Sequence, residues 1–350
     1  HSNGTVQLHK QGAQYGTIFN GSNDLTFQST ISNNDIAFKG NIGGTDTEVM
    51  RIDMSAPAVG ILNGAPVGQL HIGAANNSNH EAMITLNNGG ASGNEAGIAA
   101  GSTLTTSDSC TFVGFKAGFT ADGSANTALG YVAYRDATSG TNNIAVGYAA
   151  MYDGIVTGSY NIAVGGLSLR NLTSGAQNVA LGEACLSSVD AENNNTAIGN
   201  NALLSTTVSE LTGVGAAAGQ LATGTGSTFV GFNSGRFVTS ATAGTFIGHS
   251  AGKGIDDTKL TGAANTVVGH QAGLVLQGNA NNNTLMGHNA GVAIETGTQN
   301  TVFGKGALLA CTTSSNNTAV GASSLAACTG ALNVALGITS GLGITSGEGN

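Results

Sequence analysis

Between residues 110 and 341 one five-residue pattern recurs: Asn, a β-branched residue, a small one, an aliphatic one, then Gly. The copies end at Gly114, Gly130, Gly147, Gly165, Gly182, Gly199, Gly215, Gly231, Gly248, Gly269, Gly287, Gly304, Gly321 and Gly337. Their spacing is 16–18 residues, with one interval of 21. So regular a period marks a repeat architecture. It is too short for a helix pair and suits one coil of short strands joined by turns such as TSGTNN and ATGTGS.

Side chains alternate across a strand. The residue before Gly (Val113, Leu129, Val146, Ile198, Met286, Phe303) therefore shares a face with the one two earlier (Thr127, Ile144, Val179, Thr284). The opposite face carries Asn, a small residue such as Ala128, Ala145, Ala163 or Ala180, and Gly. A narrow coil buries only one face, so the other requires a neighbouring chain. The pattern predicts an all-β parallel β-roll or β-solenoid of about fourteen coils. In it the aliphatic residue fills the coil, Asn ladders from coil to coil, the small residue meets another chain, and Gly turns the corner. Three positions after each Gly stands a further small residue (Ala117, Ala133, Ala150, Ser168, Cys185, Ala202, to Ser340), and the next is commonly Gly or Leu.

Residues 1–86 lack this period and read as short strands at 7–10, 16–19, 25–28, 36–39, 49–53, 69–72 and 83–86, separated by turn clusters. Residues 87–109, rich in Gly, Ser and Asn, form the junction to the repeats at 110–341, and residues 342–350 are a C-terminal tail. No helical period emerges.

Composition narrows the class. Gly makes up 56 of 350 residues and Pro only 2, which excludes collagen, and 40% apolar residues argue against disorder. A net charge of −9 with singly scattered basic residues argues against nucleic acid as a partner. No apolar run approaches ~18 residues, so membrane insertion is not expected. The chain opens on His1 without a charged-then-apolar leader, and His1 reads as internal to a longer product.

The NTAVG-x-x-A-L/G unit, across residues 110–341, resembles the head repeat of trimeric autotransporter adhesins. That resemblance implies a left-handed parallel β-roll wound from three chains, with longer turns here. Residues 34–73 are similar to bacteriophage tail-fibre segments, through Val49-Met50-Arg51-Ile52-Asp53 and Gln69-Leu70-His71-Ile72, and depart from them at Gly60-Ile61-Leu62. Fibres of this kind often end in a self-cleaving chaperone, which the 350 residues do not include. Together the resemblances imply a non-enzymatic homotrimeric fibre of a phage or phage-tail-like particle, with residues 1–86 as shaft or connector. Its setting would be the virion, exposed to the extracellular medium. Its partners would be itself, other tail or baseplate proteins, and a host surface glycan or protein receptor. A bacterial cell-surface trimeric adhesin and a glycan-binding or glycan-cleaving tailspike are the alternatives.

Candidate chemistry is sparse: no catalytic, cofactor or metal residue is assigned, and no cofactor is implied. GVGAAAG, residues 213–219, mimics a dinucleotide loop but is one copy of the repeat. Asp256 and Asp257 occupy the longest coil, where adjacent carboxylates point apart. Cys311 and Cys328 stand seven residues after consecutive repeat glycines, at a separation that would permit a disulfide. The same register holds Ile255, Leu276 and Ile294, which favours a buried apolar role. The position after Gly is the most informative: Phe115, Tyr131, Tyr148, then Phe232, His249, His270, His288 and Lys305. These residues should form a column, a candidate surface-contact ladder for a glycan or protein, with its histidines suited to a metal or a pH-sensitive contact.

Overall fold

The computed structural model describes residues 110–347 and 349–350, and the backbone of seven strands that precede them. The chain divides into two units, His1–Ala99 and Ala100–Asn350.

In the first unit β1 (Val6–Lys10), β2 (Ala13–Gly21) and β3 (Asp24–Ser29) form an antiparallel sheet. β4 (Ile36–Ile42), β5 (Thr45–Asp53), β6 (Ala58–Ile61) and β7 (Ile72–Gly73) form another. β4 and β5 are separated by two residues, Gly43 and Gly44, a pair that tight hairpins favour. The strands expected from 7 to 53 fall within β1–β5. β6 was not anticipated, the strand expected at 69–72 meets β7 only at Ile72, and residues 83–86 lie outside the described residues.

In the second unit fourteen three-residue strands, β8 (Thr111–Val113) through β21 (Val334–Leu336), stack in chain order into one parallel sheet. The result is an all-β parallel solenoid of about thirteen turns, with no helix among the described residues. Pairing is in register throughout: Ala128, Ala145, Ala163, Ala180 and Ala197 lie side by side on successive strands. Each strand ends at the repeat Gly, whose φ runs from +119° to +139°. A Cβ there would also strike the next coil: at Gly114 it would lie 2.3 Å from the Gly130 carbonyl oxygen. Gly is therefore the corner residue, as its recurrence suggested.

The in-out assignment is the reverse of the expectation. The small strand-centre residues Ala128, Ala145, Ala163 and Ala180 are wholly buried inside the coil, while Leu129, Ile198, Ile247, Met286 and Leu336 face outward and are exposed. The reason lies four residues after Gly, where the chain folds back and places Tyr134, Met151, Leu169, Leu186 or Leu203 inside. Leu169, Leu186 and Leu203 have φ of 47°, 50° and 49°. That left-handed conformation costs about 1–2 kcal/mol. Burying each side chain contributes about 1.5–3 kcal/mol, which outweighs it. With a large residue in this position the one opposite is Ala in all but one coil, where Val302 lies opposite Leu308.

The exchange of volume also runs the other way. Where the strand centre is Phe112, Phe229, Phe246, Val267 or Leu285, the residue four after the corner is Gly118, Gly235, Gly252, Gly273 or Gly291. A Cβ on Gly235 would sit 2.2 Å from the Phe229 ring, and one on Gly273 2.8 Å from Leu285. Gly213 and Gly219 are small together, and Leu203 and Phe229 from the adjacent coils occupy the space.

The Asn ladder forms. Asn143 Nδ2 donates to the Gly158 carbonyl at 2.9 Å and to the Tyr134 hydroxyl at 2.8 Å, while its Oδ1 accepts from the Asn161 backbone N–H at 2.9 Å. Burial holds the Tyr134 phenol above its ordinary pKa range, so it stays protonated. Asn161 relates in the same way to Asn178, and Asn178 to Asn195. A second run extends from Asn265 through Asn283, Asn300, Asn317 and Asn333 to Asn350, whose Nδ2 donates to Asn333 Oδ1 at 3.0 Å. Residues 342–350, read as a tail, thus carry a further rung: Ile344 packs on the core and the Val334 N–H donates to the Asn350 carbonyl. Asn178→Ala should orphan the Asn195 N–H and the Glu192 carbonyl at about 1–3 kcal/mol each. The expected result is a clearly lowered melting temperature by circular dichroism; an unchanged one would deny the ladder a stabilising role.

Candidate binding surfaces

Two surfaces flank the glycine corner. The first is the outward strand face, with Val113, Leu129, Val146 and their equivalents to Leu336 on one row and Thr127, Ile144, Ile162, Val179 and their equivalents on the next. The first row is Val, Leu, Ile, Met or Phe in every strand and makes an apolar strip along the stack, with Leu129 48% exposed, whereas the second is Thr in ten of its fourteen strands.

The second surface is the column just past the corner. Hydrogen bonds such as Leu167 N–H to the Tyr148 carbonyl and Ala184 N–H to the Gly166 carbonyl hold successive coils in step there. Phe115 stacks on Tyr131 at 5.2 Å between ring centroids, and Tyr131 on Tyr148 at 5.6 Å. Phe232 leans on His249 at 5.3 Å, His249 stacks on His270 at 5.0 Å, and His270 on His288 at 5.1 Å. The structure thus brings all seven ladder residues into two runs on one line, with exposed Lys305 next along it. Among the described residues no group of three or more His, Cys, Asp or Glu could hold a metal ion, so the histidines stack without converging. What the sequence reading missed is the interruption: Gly166, Glu183, Asn200 and Ala216 occupy the line between Tyr148 and Phe232. Its signal was the loss of aromatic residues at that register.

The other candidates have structural placements. Residues 213–219 are a coil around the strand Thr212–Val214. Asp256 and Asp257 are exposed on a loop that lengthens one coil. In that coil Leu260, bridging Val238 and Gly278, takes the buried place expected of Ile255, which is only half-buried. Cys311 and Cys328 are buried free thiols, without a disulfide, and burial pushes the Cys311 thiol pKa up. No helix among the described residues is long and apolar enough to cross a membrane. Compared with family models, curated proteins and solved structures, the chain finds no match.

Proposed function

We propose that the chain is a structural, non-enzymatic fibre component of a phage or phage-tail-like particle. Three copies would wind together, hold distal parts away from the particle and contact a host surface. One observation carries the assembly: the apolar strip of outward strand residues, with no counterpart in its own solenoid to cover it. If burial stabilises each partly exposed side chain of the aliphatic row by about 1 kcal/mol, one per rung over fourteen strands, the sum for each chain reaches the upper end of an association cost of roughly 4–15 kcal/mol. The covered face is then the aliphatic row, in place of the alanine row that the alternation alone suggested.

The number three comes from the resemblance to adhesin heads, and the choice of a tail fibre from the likeness of residues 34–73 to tail-fibre segments. A cell-surface adhesin shares the roll and the assembly but not that segment. The test is mass in solution by light scattering. The expected value is three times the chain mass, falling to one on introducing Val164→Asp with Ile198→Asp while strand content is kept. A monodisperse folded monomer of the unaltered chain would end this reading of the strip.

A further inference from the structure

Tyr148 is 60% exposed and closes the first aromatic run. One face of its ring lies against Tyr131, with only 6° between the planes. Beyond the other face the next coil offers Gly166, which has no side chain to cover it. The coil after that offers Glu183, and the next Asn200. Asn200 Nδ2 donates to Glu183 Oε2 at 3.2 Å, and Asn201 Nδ2 donates to Asn200 Oδ1 at 2.9 Å. The rung without a side chain thus leaves a gap on the surface between the Tyr148 ring and the Glu183 carboxylate, both exposed.

The dimensions select an occupant. Coils rise by about 4.8 Å, so the Glu183 rung lies ~9.6 Å from the Tyr148 rung. A ring in van der Waals contact with the phenol, about 3.5–4 Å away, leaves room for its substituents to reach the carboxylate. The ligand must therefore be a flat-faced ring with apolar C–H on one side and hydroxyls at its rim. That describes a pyranose. A quaternary ammonium is matched less well, because the gap supplies one aromatic face and a carboxylate already held by an amide. The aromatic rings inside each run have both faces covered by neighbours, which leaves them less suited to stacking a ligand.

We propose that Tyr148, Gly166 and Glu183 form a saccharide subsite in which a pyranose ring stacks on Tyr148 and its hydroxyls bond to the Glu183 carboxylate, which Asn200 holds from the far side. The inference deepens the host-attachment reading by naming its receptor class. Binding would be weak per site and strengthened by multivalent presentation on a glycan-dense surface.

Gly166 makes the decisive variant possible. Its φ is ordinary, and a Cβ there would meet nothing closer than the Tyr148 carbonyl oxygen at 3.8 Å. Gly166→Tyr should extend the ring stack and plug the gap without disturbing the coil. The experiment is binding to a printed array of hexose- and N-acetylhexosamine-terminated glycans, with solution mass and melting temperature measured on every variant. The unaltered chain should bind a subset. Tyr148→Ala and Gly166→Tyr should each weaken binding by about tenfold or more, and Tyr131→Ala by far less. No glycan bound by the unaltered chain, full binding by Gly166→Tyr, or displacement by tetramethylammonium would each overturn the proposal. If the array fails while the mass is threefold, the site falls and the assembly stands; the reverse outcome separates them equally.

Discussion

Gly199→Val should open the solenoid at its middle. Gly199 has φ of +127°, and a Cβ on it would lie 2.6 Å from the carbonyl carbon of Gly215 and 2.9 Å from the nitrogen of Ala216. Both are backbone atoms of the next coil, held by the Gly215 N–H to Ile198 carbonyl bond at 2.7 Å, so neither can move aside alone. The backbone conformation itself costs a residue with a Cβ roughly 1–3 kcal/mol. The clash comes on top, and the rungs on either side must part to relieve it. Limited proteolysis should then cut between residues 199 and 215, with a large fall in melting temperature. Gly226→Asn is the contrast. Gly226 has φ of +70° with nothing within 4 Å of a Cβ, and Asn142, Asn194, Asn282 and Asn316 hold the same place in other coils. That variant should be neutral or stabilising by about 0.4–1 kcal/mol. Equal losses from the two would mean that the corner glycine is not what limits stacking.

The second large effect concerns where the Asn ladder stops. Phe occupies the strand centre only in the coils whose ladder residue is Cys110, Ser227 or Gly244. The ring takes the amide's space: a Cβ on Gly244 would lie 2.5 Å from Phe246 Cε2. The next coil shows the other solution, with Asn265, Val267 and Gly273. Gly244→Asn alone should overpack and cost about 1–3 kcal/mol. Phe246→Val alone should leave a cavity and cost about 2–4 kcal/mol. Together they recreate the neighbouring coil and should recover most of the stability, a coupling of about 2 kcal/mol or more in a thermal double-mutant cycle. Additive losses would show that amide and ring do not compete.

Much of the repeat unit was legible because its causes are local. Gly at a fixed interval marks the only residue that tolerates both the corner φ and the approach of the next coil. Asn at one register in ten copies marks a ladder, since each amide can satisfy both a carbonyl and an N–H of the adjoining coil, as Asn143 does at Gly158 and Asn161. The aromatic and histidine column was legible for the same reason, because in-register coils place equal positions side by side. The gap beside Tyr148 was harder to see. It depends on what a missing side chain leaves open, and on Glu183 being drawn toward Asn200.

Taken by itself, the sequence determined the period, the strands, the corners and the ladder of residues 110–341. Which face of the strand turns inward was settled only by the tertiary structure. A period of two separates Ala128 from Thr127 and Leu129 but is silent on which side is the interior. Both sides carried residues that a core accepts. The choice was made by Tyr134, Met151 and Leu169, which fold back across the coil and fill its narrow interior. Volume that can be used only once forced alanine inward and left the aliphatic rows outside.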